Sequence, residues 1–141
     1  MDLENLVGLT IDGKYRLERK IGEGGMGSVY LGVQLMVKRS VAVKVLHMGL
    51  NTAELPRQRF EVEAKAVGRL NHPNCVTLHD FGYSSELDAL FMVMELVDGE
   101  AMHRRVVRGV RLLEALDIAR QIGLALDHAH HQGILHRDLK P

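Results

Sequence analysis

The chain has 141 residues, 46% of them hydrophobic, and its eighteen lysines and arginines balance eighteen aspartates and glutamates. That is enough apolar mass for a buried core and too little chain for two ordinary domains, and the zero net charge excludes a global field drawing the protein to nucleic acid or to an anionic membrane. A single cysteine, Cys75, excludes an internal disulfide framework, fits a reducing compartment and is expected as a small buried side chain.

Residues 1–14 read as a short leader. Tyr15, Leu17, Arg19 and Ile21 then fall on one side of an alternating run that ends in glycine, which predicts a strand entering a tight turn. Residues 28–33 supply the returning strand, and residues 41–46, rich in β-branched side chains, supply a third. After Asn51 and Thr52, which suit a helix cap, Pro56 fits a first turn, and Phe60, Ala64 and Val67 recur at helical steps. That helix is expected to stop before Asn71-His72-Pro73. Residues 76–81 and 90–96 predict two more strands around a polar turn at Ser84-Ser85-Glu86. Five strands with one helix after the third make a small α+β lobe over residues 15–98. From Asp98-Gly99 the character changes: Ile118, Ala119, Ile122, Ala125, Leu126 and Ala129 take helical spacing, so residues 99–141 begin a mostly helical part.

Three segments carry chemistry. Gly22, Gly24, Gly27 and Val29 match G-x-G-x-x-G-x-V, with Gly25 as a further glycine in the turn. Nucleotide phosphates need backbone N–H donors brought close without a Cβ in the way, which glycine permits. A dinucleotide-binding reading requires this loop to open a helix, whereas residues 28–33 are strand-like, and the P-loop reading lacks its Gly-Lys-Ser/Thr. In the third strand, alternation sets Ala42 and Lys44 on one face and Val41, Val43 and Val45 on the other. A lysine so placed reaches phosphate oxygens and is steadied by a carboxylate, for which Glu63, one helical turn from Phe60 and Val67, is the candidate.

Together with Leu70-Asn71-His72-Pro73-Asn74, Phe91-Met92-Val93-Met94-Glu95-Leu96-Val97-Asp98-Gly99 and His136-Arg137-Asp138-Leu139-Lys140-Pro141, these segments resemble the N-terminal half of a protein serine/threonine kinase domain of the bacterial, eukaryotic-like type. The resemblance implies a kinase-like N-lobe, a five-stranded antiparallel sheet with its αC helix, followed by the first helices of a helical C-lobe. It implies ATP as cofactor, with Ile21, Val29 and Ala42 around the adenine, Met94 as gatekeeper behind it, and the Glu95 carbonyl and Val97 backbone on its edge. It further implies Lys44 paired with Glu63, Asp138 as the base toward a protein hydroxyl, and Lys140 neutralising charge on the transferring phosphoryl group, with His136 and Arg137 structural. In the family an asparagine follows the aspartate by five residues, at position 143 in this numbering, and the Asp-Phe-Gly magnesium ligand comes later. Mg2+ ligands are therefore expected beyond Pro141, and the 141 residues alone are expected to be an inactive fragment.

Other constellations are bland. His128, His130, His131 and His136 lack zinc spacing and accompanying cysteines, so no metal site is expected; His128 and His131 should lie on a solvated face. Arg104, Arg105, Arg108 and Arg111 are expected on a solvated helix face. No signal-like or bilayer-length apolar run occurs, so the expected location is cytoplasmic, with no membrane segment and no nucleic-acid partner. The apolar stripe from Ile118 to Ala129 is expected to be exposed and to favour self-association. The competing functional class is a non-catalytic nucleotide-binding or interaction module, a degenerate kinase kept for docking.

Overall fold

Alternating side chains sort the strands into a buried and a half-exposed face, and this sorting positions everything that follows. The computed structural model describes residues 6–24, 27–46, 54–136 and 139, and in the helix between residues 54 and 67 it describes the side chains of residues 58, 61, 62 and 64–67. Two compact units emerge, one built from residues up to 68 together with 77–96, the other from 69–76 together with 97 onward.

The first unit is an antiparallel sheet of six strands among the described residues: β1 Thr10–Ile11, β2 Tyr15–Gly24, β3 Gly27–Gln34, β4 Arg39–Leu46, β5 Leu78–Ser84 and β6 Ala89–Glu95. They lie in the order β1-β2-β3-β4-β6-β5, and one helix, α1 Glu54–Val67, follows β4. The leader contributes to this unit: β1 pairs with β2, and Leu6 and Ile11 are buried in the core. Asp12, with φ 51°, and Gly13, with φ 63°, make the tight turn that returns the chain into β2.

Tyr15 and Leu17 point into the core, as the alternation predicts, but Arg19 and Ile21 do not. The pairing of β2 with β3 slips between Leu17 and Arg19 and again between Lys20 and Gly22, and each bulge turns the following side chains over. In β3 and β4 the alternation is unbroken. Tyr30, Val41, Val43 and Val45 join Phe91 and Val93 of β6 in one apolar cluster. Each such aliphatic side chain contributes about 1.5–3 kcal/mol on burial, which makes this face the dominant stabilising element of the unit.

The sheet coils on itself. The Tyr15 hydroxyl in β2 donates to Asp80 Oδ2 in β5 at 2.8 Å, although three strands stand between them, and the Tyr15 and Phe91 rings lie 6.3 Å apart between centroids. Burial first, and then the bond to Asp80, push the Tyr15 phenol up to about 12. The strand predicted over 76–81 runs instead over Leu78–Ser84, because the chain from 69 to 76 is engaged elsewhere, and Ser84 belongs to the strand rather than to the turn.

The second unit contains α2 Met102–Arg108 and α3 Leu112–His131. Arg105 clasps the two, with Nη2 2.8 Å and 3.1 Å from the Glu114 carboxylate oxygens and Nη1 on the Gly109 carbonyl. Gly133, at φ 73°, ends α3 as its N–H meets the His130 carbonyl. Segment 69–76 rests on α3: the Asn71 N–H donates to His128 Nε2 at 3.4 Å, Asn74 Nδ2 donates to Gln121 Oε1 at 2.9 Å, and the His72 and His128 rings lie 5.3 Å apart. His128 is thus half-buried and engaged rather than solvated, whereas His131 is exposed. Cys75 is half-buried, less than its expected burial, since it sits on this surface segment.

Candidate nucleotide site

The face of the sheet opposite the core is the candidate site. Strand register sets Val29 beside Lys44 and Leu31 beside Ala42 across β3 and β4, then Lys44 beside Met92 and Ala42 beside Met94 across β4 and β6. Paired residues share a face, so Val29, Ala42, Lys44 and Met94, all chosen from sequence, come together on one surface. Ala42 is buried and the other three are half-exposed, in contrast to Val41, Val43 and Val45 on the reverse side. An ammonium ringed by apolar side chains is the result. Such a surface accepts a flat heteroaromatic ring on its apolar part and an anion at the lysine.

Sequence reasoning missed four further members. Leu31 and Met92 flank Ala42 and Lys44 directly, and β5 adds Leu78 beside Met94 and Phe81 beside Met92. Cross-strand pairing was the signal that finds them, and it exists only once the register is known.

The glycine segment forms the hairpin between β2 and β3, with Gly22 paired to Val29 and Gly24 to Gly27. The glycines differ in what they do. Gly27 has φ 156°, and a Cβ there would lie 2.2 Å from the Val45 carbonyl oxygen, so only glycine fits between the strands. At Gly24 a Cβ would meet nothing within 4 Å, and at Gly22 its nearest neighbour would be Val29 at 3.7 Å. Neither is required by packing; both leave backbone open to an approaching group.

Ile21 sits at the second bulge of β2 and is 39% exposed. Glu95 ends β6, where its N–H donates to the Thr77 carbonyl at 2.9 Å and its carboxylate accepts from the Thr77 N–H at 3.2 Å. Val97 is exposed and belongs to the second unit. Glu63 lies in α1 next to Ala64, which is fully buried, but its side chain is outside the described set, as are Gly25, Arg137, Asp138 and Lys140. The chain just past the end of α1 approaches β5: a Cβ on Gly68 would be 3.7 Å from Leu78 Cδ2.

Strand, glycine hairpin, strand, a lysine on the open sheet face and a helix after it are the parts of a kinase nucleotide lobe, and residues 15–141 match the protein kinase domain family, to which the chain belongs. Among its relatives are the serine/threonine-protein kinase pkn3 of Myxococcus xanthus, 45% identical over 99% of this chain, and PknA of Mycobacterium tuberculosis, 43% identical over 96%. The chain covers only 26% and 32% of those two proteins. It superposes on the crystal structure of the Mycobacterium tuberculosis PknI kinase domain with a TM-score of 0.78 and 34% identity, over 95% of this chain and 54% of that one. The fold is therefore α+β, a kinase N-lobe followed by the start of the helical lobe.

Proposed function

We propose that this chain is the nucleotide-binding part of an ATP-dependent protein serine/threonine kinase. The observation that carries the reading is the position of Lys44 on the half-exposed sheet face, in register with Val29, Ala42, Met92 and Met94. ATP suits these residues. Val29, Ala42 and Ile21 offer apolar contact to the base with Met94 behind it, and the Glu95 carbonyl and Val97 backbone serve its edge. The open backbone at Gly22 and Gly24 leaves space for phosphate oxygens, and Gly25 belongs to the same loop. Lys44, steadied by Glu63, holds the α- and β-phosphates.

Magnesium is a different matter. Among the described residues no group of three or more histidine, cysteine, aspartate or glutamate side chains is placed to hold a metal. In this proposal Asp138 accepts the proton of a protein hydroxyl and Lys140 neutralises developing charge, and these 141 residues by themselves bind nucleotide without completing transfer. No described helix is long and apolar enough to cross a membrane. We place the protein in the cytoplasm, where ATP and protein substrates are available, and assign self-association to the α3 face around Ile122.

The test is phosphoryl transfer to a protein serine by a form extended through the catalytic-loop asparagine and the magnesium aspartate. Lys44→Met should lower the rate by about two to three orders of magnitude while leaving the circular dichroism spectrum intact. Unchanged turnover would reject the assignment. Nucleotide binding with no transfer in the extended wild-type form would favour the docking-module reading instead.

A further inference from the structure

The α2–α3 hairpin carries charge and apolar surface that the nucleotide site does not use. Residues 101–111 contain four arginines and no acid. Two of these arginines are already engaged: Arg105 clasps Glu114, and Arg108 pairs with Glu100. The other two, Arg104 and Arg111, form no ion pair with any described residue. Arg104 borders a shallow open depression with Glu100, His103, Val107 and Arg108, in which the Glu100 carboxylate is taken up by its pair with Arg108. On the same hairpin, Val107 is 87% exposed, Leu112 74% and Leu113 80%, and all three project from elements held together by the Arg105 clasp. Isolated exposed apolar residues are ordinary; three of them within seven positions, beside two uncompensated guanidinium groups, are not.

We propose that the α2–α3 hairpin is a docking surface for an acidic amphipathic segment of a partner protein. The carboxylates of the segment pair with Arg104 and Arg111, and its apolar side chains cover Val107, Leu112 and Leu113. Charge complementarity selects this occupant: a basic segment meets two unpaired arginines, and a purely apolar one leaves both without a counter-ion. The readout below is binding, so it is independent of whether the chain transfers phosphate.

A short fluorescein-labelled helical peptide of glutamate and leucine serves as probe, with a lysine and leucine peptide of the same length as control. Fluorescence anisotropy should show binding of the acidic probe alone, weakening as salt is raised. Arg104→Gln with Arg111→Gln, and separately Leu112→Ser with Leu113→Ser, should each weaken it about tenfold, while circular dichroism shows the helices retained. Equal binding of both peptides, or acidic-probe binding unaffected by the arginine pair, overturns the proposal. So does loss of binding in a form extended past residue 141, which would mean that following chain covers the surface. A sedimenting dimer dispersed by the leucine pair would assign the face to a second copy and overturn it equally.

Discussion

Gly27 and Gly24 occupy one loop yet answer to different forces. An alanine at 27 drives a methyl group into the Val45 carbonyl at a φ that L-residues rarely adopt, and the strands must part to admit it. Gly27→Ala should therefore cost about 1–3 kcal/mol of stability, read as a lower urea midpoint. Gly24→Ala meets open space and should leave the midpoint unchanged while weakening ATP binding, which calorimetry separates from folding. Tyr30 offers the reverse case. Its hydroxyl is fully buried and has no hydrogen-bond partner among the described residues, so Tyr30→Phe removes an unmet desolvation cost. The variant should match or exceed the wild type by about 1 kcal/mol in the same denaturation. The placement of Lys44 on the open face and of the glycines in a hairpin was legible from sequence, because strand alternation and turn residues are local signals. Tyr30 was not, since nothing in the residues around it says that its oxygen ends in an apolar cluster.

At the scale of elements, the strands β3 and β4 were legible because alternation runs through them without interruption. β2 was legible in extent but not in facing, since two bulges reset the phase that alternation extrapolates. The shift of β5 toward later residues has a different origin. Segment 69–76 is held on α3 through His128 and Gln121, contacts that lie 57 and 47 residues away in sequence and leave no local pattern. Gln121→Ala should loosen that segment and speed hydrogen exchange at the Cys75 N–H, which donates to the His72 carbonyl, while exchange in β4 stays slow. Sheet closure through Tyr15 has a pH signature. The phenol is protonated in the folded unit up to about 12, against 10.0 for the free group, so folding favours the protonated form. Its contribution is complete below pH about 10 and disappears as pH rises toward about 12. Tyr15→Phe should flatten thermal stability across that window, and an unchanged slope would show that the buried phenol's raised pKa does not contribute to stability.

For the molecule as a whole, composition correctly announced a buried core, and one apolar cluster fills the first unit. The second unit is differently made. In α3, a helix of twenty residues, Ala129 is the one buried side chain among those described, and Leu112, Leu113, Leu116 and Leu124 are exposed. The stripe at Ile118, Ile122 and Ala125 was visible in the sequence, but periodicity reports that a helix has an apolar face without saying what covers it. The 141-residue chain should bind a hydrophobic dye in its native state, and Ile122→Glu should reduce both that signal and any self-association seen by sedimentation. A monodisperse chain without dye binding would contradict this.

The proposed function requires Lys44 to hold nucleotide phosphates on the open face of the sheet. Titrating ATP into the 141-residue chain and into Lys44→Met by calorimetry tests that most directly. The wild-type chain should bind ATP, and the variant should bind at least about tenfold more weakly with its melting temperature unaltered. Equal affinity in the two, or no binding by either properly folded protein, would contradict it.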